Sequence, residues 1–281
     1  MTTSLVDIAY GGRNVSIEYR WLHPSARPLA MDARRPLVVF LHEGLGSVAM
    51  WRDYPQRFCD EGGYRGLVYS REGYGRSTPR TPDQRWPATF MHEQAIEMLP
   101  HLFARLDIGT DGNRPWLFGH SDGASIALIH AATFPDAPAG VIAVAPHIVV
   151  EPLSLRSIAA ARDAYVEGDL RRRLARYHGD VDSAFHGWNN AWLAPAFATW
   201  SIEPLLGGLR CPILAVQGTD DEYGTLAQVE GIRERAPKTE VVVLPACGHS
   251  PQRDAPQALT HAAIDFITRH SFTGPTQGGV Q

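Results

Sequence analysis

Apolar residues follow two rhythms along this chain. Near the start they alternate with polar ones: Leu5 to Tyr10 and Val15 to Leu22 flank Gly11-Gly12-Arg13-Asn14, which predicts an antiparallel hairpin with a Gly/Asn turn. Further on they come in short unbroken runs. Leu37-Val38-Val39-Phe40-Leu41, Gly66 to Ser70, Trp116 to Gly119, Val141 to Ala145, Pro212 to Gln217 and Glu240 to Leu244 read as strands, and continuous runs of this kind mark strands buried on both faces of a parallel sheet. Between them lie helical stretches at about Met50–Asp60, Thr89–Leu106, Thr225–Arg235 and Ala255–Arg269. In the second of these, Met91, Ala95, Met98, Leu102 and Leu106 share a face, and Pro100 is expected to kink the helix or end it early. Strands alternating with helices predict an α/β protein with a mostly parallel, doubly wound sheet.

The alternation breaks from Pro146 to about Leu206. That stretch reads as helices with no strand among them and carries Arg171-Arg172-Arg173, Trp188, Trp192 and Trp200. An insertion between sheet strands is expected to cover the strand C-terminal ends, where open α/β sheets bind ligands. The organisation expected is therefore a core of residues 1–146 and 207–272, a helical cap of 147–206, and a disordered tail at 273–281. His23 to Arg35 reads as a loop.

Composition narrows the function classes. Of 281 residues, 44% are hydrophobic and 20% charged, as in ordinary globular domains, and with a net charge of −4 and no basic patch nothing suggests a nucleic-acid partner. The N-terminus lacks a basic segment followed by an apolar run, and no stretch approaches the ~18 apolar residues of a membrane span. The expectation is a cytoplasmic protein without membrane contact, with a small-molecule substrate as its partner and an oligomeric state that the sequence does not set. Cys59, Cys211 and Cys247 are far apart and form no C-x-x-C, so neither a disulfide framework nor a zinc site is indicated, and no metal or cofactor is expected.

The chemistry concentrates at Gly119-His120-Ser121-Asp122-Gly123, a G-x-S-x-G turn between an apolar strand and a small-residue helix. A serine on so sharp a turn leaves no room for side chains two positions away, hence the glycines, and strand–turn–helix is the setting of a nucleophile elbow. A serine hydroxyl becomes a useful nucleophile when a base takes its proton and a third group holds that base. Candidates follow in the order Ser, acid, His: Asp220-Asp221 past the Pro212–Gln217 run, and His249 past the Glu240–Leu244 run.

On these motifs the chain resembles the α/β-hydrolase fold superfamily over Leu37 to Ile267. The matching features are Leu41-His42-Glu43-Gly44 for the H-G-x strand end, Arg71-Glu72-Gly73-Tyr74-Gly75-Arg76-Ser77 for the G-x-G-x-S loop, the elbow, Gln217-Gly218-Thr219-Asp220-Asp221 for the acid turn, and Gly248-His249 for the base. The resemblance implies Ser121 as nucleophile, His249 as base and Asp221 as acid, the last because the family places it three residues after Gly218. It also implies an oxyanion hole from the backbone N–H groups of Gly44 and Asp122. Glu43 departs from the pattern by standing where the family has Gly; its side chain is expected to turn away and pair with Arg71. The Asp122 side chain is expected to cap the helix start. Glu43, His120, Trp188 and Trp192 are the substrate-pocket candidates.

The implied activity is that of a serine hydrolase acting through an acyl-enzyme on a small, hydrophobic ester or lactone. Thioester hydrolysis and carbon–carbon cleavage of ring-cleavage products are the alternatives within the class, and a ligand-binding module on the same fold is the alternative outside it. Serine at the elbow disfavours the epoxide hydrolases and haloalkane dehalogenases of the superfamily, which carry Asp there.

Overall fold

A computed structural model describes residues 2–25, 35–110 and 112–271, so the tail expected at 273–281 lies outside the described residues. Strands β1 (Ser4–Tyr10) and β2 (Arg13–Leu22) form the predicted hairpin, with Tyr10 directly opposite Arg13. The turn is shorter than the sequence suggested: only Gly11 and Gly12 lie outside the strands, at φ of +54° and +73°. Two consecutive left-handed residues make the tight turn whose twist matches paired strands.

The remaining strands are β3 (Leu37–Leu41), β4 (Arg65–Tyr69), β5 (Trp116–His120), β6 (Gly140–Val144), β7 (Ile213–Gly218) and β8 (Thr239–Leu244). They make one eight-stranded sheet in the order β1-β2-β4-β3-β5-β6-β7-β8. From β4 to β8 every pairing is parallel, and β2 joins β4 antiparallel. Strands β3, β5, β6 and β7 are buried at every position, which is why their sequences are apolar except for His120 and Gln217 near two of their ends. This is the α/β-hydrolase fold.

Helices cover both faces. Helix α1 (Tyr54–Gly62) lies on one side, while α2 (Phe90–Glu93), α3 (Leu99–Arg105) and α4 (Asp122–Thr133) lie on the other. Helix α1 starts later than the apolar pattern suggested. Arg52 stands at φ +55°, which no helix can include, and Pro55 suits only a first turn. Pro100 neither ends nor sharply breaks its helix: a π turn at Gln94–Met98 joins α2 to α3 immediately before it. The wider turn shifts the carbonyl one turn back, against which the proline ring would otherwise collide.

Between β6 and β7 the chain forms α5 (Pro152–Val166), α6 (Leu170–Leu174), α7 (Val181–Trp192) and α8 (Glu203–Leu206), with no strand among them. Asp180 caps α7 by accepting the Ser183 N–H at 2.8 Å. Trp188, Trp192 and Trp200 are all buried, and Phe197 links the last two, with ring centroids 4.7 Å from Trp192 and 5.2 Å from Trp200. Helix α9 (Ala227–Arg235) follows β7; α10 (Pro251–Asp254) and α11 (Pro256–Ser271) close the described chain.

At the C-terminal edge of the sheet, β5, β6 and β7 are each tied to the next strand just beyond their last residue. Ser121 N–H donates to Val144 O at 2.9 Å, Ala145 N–H to Val216 O at 2.8 Å, and Thr219 N–H to Leu244 O at 2.9 Å. All three cysteines are buried and unpaired. Among the described residues no helix is long and apolar enough to cross a membrane.

Candidate active site

Ser121 occupies the step from β5 into α4 at φ +53°, ψ −120°, a conformation that costs a non-glycine residue on the order of 1–3 kcal/mol. The flanking glycines make the turn possible. A Cβ on Gly119 would stand 2.3 Å from Gly123 O, and one on Gly123 would stand 2.1 Å from Leu41 O. The start of α4 thus lies directly against the end of β3, and the serine hydroxyl projects beyond the sheet.

His249 comes from the segment after β8. Its Nε2 is 2.9 Å from Ser121 Oγ, and its Nδ1 is 2.9 Å from each oxygen of Asp221. With Nδ1–H donating to the carboxylate, Nε2 is left free to accept the hydroxyl proton. Asp221 Oδ1 also accepts the Tyr223 and Gly224 amides at 2.8 and 3.0 Å, and Oδ2 accepts Gln217 Nε2 at 2.6 Å. Burial alone would raise this carboxyl, but the hydrogen bond and charge of His249, with the two amides, outweigh it and hold Asp221 below the ordinary value. Asp220 does not reach the histidine. Its exposed carboxylate takes the Thr219 hydroxyl at 2.9 Å.

With Asp221 behind the histidine, Ser121 and His249 line a cavity of about 470 Å³. Its inner wall includes Gly44, His120, Asp122, His147, Trp188 and Trp192, so the structure brings all the pocket candidates together, Glu43 among them. Arg52, Arg57 and Arg253 line it as well, beside Asp53 and Glu222. His147, directly beyond β6, is fully buried with Nδ1 unpartnered; burial, then the nearby His249, push it down to about 3, so it is neutral. The Tyr223 ring lies 4.7 Å from that of His249. Gln217, Tyr223 and Gln252 escaped the sequence reading, though Gln217 had a signal: it is a buried polar residue near the end of an otherwise apolar strand.

Two expectations about carboxylates are overturned. Glu43 does not pair with Arg71 through its side chain. The Arg71 Nη2 donates to the Glu43 carbonyl at 2.9 Å, whereas Glu43 Oε2 approaches His120 Nδ1 at 3.4 Å. Burial opposes ionisation of Glu43, but the hydrogen bond and charge of His120 prevail and leave it at about 2. His120 in turn meets the His249 carbonyl through Nε2 at 2.6 Å and Gln252 through Nδ1 at 3.1 Å. Nor does Asp122 cap its helix: Oδ1 accepts Trp192 Nε1 at 3.1 Å, and Oδ2 lies 3.8 Å from Arg71 Nη2 without a hydrogen-bond partner. Desolvation is the dominant influence and raises Asp122 to about 6 despite Arg71 and Trp192. The physical reason for both corrections is burial: Asp122 is 1% exposed against 23% for Glu43, so the buried Arg71 guanidinium lies by the carboxylate that water cannot reach.

Among the described residues, no group of three or more His, Cys, Asp or Glu side chains is placed to hold a metal ion. Comparison with known proteins agrees with the architecture. The chain is 22% identical over 257 residues to 2-hydroxy-6-oxo-6-phenylhexa-2,4-dienoate hydrolase of Burkholderia cepacia, covering 82% of this chain and 87% of that one. Among solved structures, the enol-lactonase of Burkholderia xenovorans LB400 superposes with a TM-score of 0.68 at 20% identity, covering 94% of this chain and all of that one. The proline iminopeptidase of Mycobacterium smegmatis gives 0.71 at 16%, covering 95% and 98%. At these identities the structures speak for the fold alone. The sequence profile of the alpha/beta hydrolase family, however, matches residues 38–262, most of the chain. The chain therefore belongs to the alpha/beta hydrolase family and is a hydrolase.

Proposed function

We propose that this hydrolase cleaves small, uncharged carboxylic esters or lactones through an acyl-enzyme on Ser121. The observation that supports it is the unbroken hydrogen-bonded chain Ser121–His249–Asp221, whose serine and histidine line the cavity. In this reading His249 removes the Ser121 proton as Oγ attacks the acyl carbon, then returns it to the departing alkoxide. Water, activated by the same histidine, releases the acid and restores the serine. The oxyanion takes the backbone N–H groups of Gly44 and Asp122; the latter, as the first helical residue, has no intrahelical acceptor.

Residues 147–206 act as the cap that closes the cavity with Trp188 and Trp192. An uncharged substrate is favoured because the wall nearest Ser121 is aromatic and histidine-rich, and the arginines lining the cavity are exposed. A carbon–carbon hydrolase acting on a vinylogous diketone is the second reading. What favours it is the similarity to the Burkholderia cepacia enzyme over 82% of this chain.

A fluorophosphonate probe tests the nucleophile: folded protein should be labelled at Ser121, and absence of labelling excludes the acyl-enzyme. A panel of p-nitrophenyl esters, lactones, thioesters and vinylogous 1,5-diketones, run on wild type and Ser121→Ala, then assigns the reaction. Ser121-dependent kcat/KM is expected to be highest for short acyl esters or lactones. Dominance of the diketones would replace this reading with the second.

A further inference from the structure

Strand β6 leads through a sharp turn, with Ala145 at φ +48°, to Pro146 and His147. Both main-chain groups of His147 are anchored to helix α4, one turn beyond Ser121. The carbonyl accepts the Ser125 hydroxyl at 2.7 Å, and the N–H donates to Ser125 Oγ at 3.1 Å. The ring meets Trp192 in a T-shaped contact, with centroids 5.0 Å apart, and lies 5.7 Å from the ring of His249. Only 2% of the residue is exposed, and that part faces the Ser121 cavity. Of its two nitrogens, Nδ1 is shut away and unpartnered, whereas Nε2 is open to the cavity and bonds to none of the described residues.

By contrast, the buried His42, His120 and His178 each commit both ring nitrogens to the protein. His42 meets the Glu43 carbonyl and the Arg71 N–H, His178 the Gly75 N–H and the Leu45 carbonyl, and His120 the His249 carbonyl and Gln252. His147 is neutral, because burial and the neighbouring His249 disfavour the cation, so one of its nitrogens carries a single proton. Enclosed N–H groups without acceptors are rarer in proteins than under-used acceptors, which puts the proton on Nε2 and the lone pair on the enclosed Nδ1. The cavity thus presents a fixed N–H donor with no acceptor among the described residues.

We propose that His147 is a specificity-determining residue whose Nε2–H donates to a second carbonyl oxygen of the substrate, making keto esters or keto lactones the preferred class. The inference rests on the reading of Ser121 as the site of ester cleavage. Ser121 Oγ is 2.9 Å from His249 Nε2, and the His147 ring is 5.7 Å from that of His249, so an oxygen a few bonds along the acyl chain comes within its reach. A ketone satisfies the donor and needs nothing in return, whereas a hydroxyl brings a proton that requires an acceptor of its own.

The test is a calorimetric titration of the full chain carrying Ser121→Ala, in which the proposed cleavage is blocked. The ligands are ethyl 3-oxo-, 4-oxo- and 5-oxohexanoate and, as the reference without the ketone, ethyl hexanoate. The same titrations are run with His147→Phe added, which keeps a ring and loses the donor. The affinity of the best keto ester relative to ethyl hexanoate is expected to fall about fivefold or more with His147→Phe. If that variant does not fold, imidazole nitrogen NMR of Ser121→Ala takes its place. His147 should then be the Nε2–H tautomer, and its Nε2–H signal should move downfield with the keto ester and stay in place with ethyl hexanoate. An unchanged affinity ratio, an Nδ1–H tautomer, or an equal response to both esters would overturn the proposal. No readout requires turnover. An unchanged ratio with Ser121 still labelled by fluorophosphonate therefore refutes this inference alone, while a changed ratio without labelling refutes the acyl-enzyme alone.

Discussion

Trp192 reaches from helix α7 to the residue beside Ser121, its indole Nε1 donating to Asp122 Oδ1 at 3.1 Å. Both side chains are 1% exposed, so no water can take the place of either partner. Trp192→Phe keeps most of the aromatic packing and removes this bond alone. A buried acceptor left unpaired costs about 1–3 kcal/mol, which denaturant unfolding should record. Because Asp122 opens helix α4 next to Ser121, kcat for the best substrate of the panel should fall with it.

The pH dependence of stability carries the mark of Asp122. Its carboxyl is raised from 3.8 to about 6 in the folded state, chiefly by desolvation, so the native protein holds this proton more tightly than the unfolded chain does. The stabilisation is therefore fully present below pH 4 and lost as pH rises through about 6. Asp122→Asn cannot titrate. The melting temperature of Asp122→Asn relative to wild type should rise between pH 4 and pH 7, by the equivalent of roughly 2–3 kcal/mol. A pH-independent difference would refute the assignment.

Asp221 and Asp220 are adjacent in sequence and differ in everything else. Asp221→Asn should lower kcat by up to about 10⁴-fold, the loss seen when the carboxylate behind a catalytic histidine is neutralised. Asp220→Asn, on an exposed turn, should stay within about threefold of wild type. Steady-state kinetics on the two variants decide between them, and the reverse ranking would move the acid to Asp220.

Gln217 holds Asp221 from below, through Nε2 at 2.6 Å. Gln217→Leu removes a hydrogen bond to a charged acceptor, worth about 1.5–3 kcal/mol, and should cost about tenfold or more in kcat/KM. The acid limb of the pH–rate profile should also shift, because Asp221 loses a donor to its charged form. A role in packing alone would change stability and leave that limb in place.

Gly123→Ala should prevent correct folding, with a loss of about 3 kcal/mol or more, because the new methyl would lie 2.1 Å from Leu41 O on a neighbouring strand. Gly207→Ala, with open space around it, is the matched control and should be nearly neutral in thermal unfolding.

The sheet was legible in the sequence because burial on both faces leaves strands such as Leu37–Leu41 and Val141–Val144 no polar position. Ser121 was legible because its turn demands glycine two residues to either side, and Asp221 and His249 because each follows a strand end. What stayed hidden depends on side chains meeting across long separations. Nothing near Asp122 in sequence announces Trp192, seventy residues on, and nothing near Glu43 announces His120. Arg71 was assigned to the wrong carboxylate because sequence places the residues at neighbouring strand ends without saying which acid is shut away from water. The π turn before Pro100 was hidden for a similar reason: a proline shows that a helix must adjust and not how.

The bonds that tie Ser121 to Val144, Ala145 to Val216 and Thr219 to Leu244 run across β5, β6, β7 and β8 like the rungs of a ladder laid along the sheet's rim. The strand ends that lead to the serine, the aspartate and the histidine thereby share one stiff frame, independent of the helices above it. Heating this protein should consequently leave its proton-transfer distances intact until the sheet itself melts, so that inactivation and global unfolding coincide.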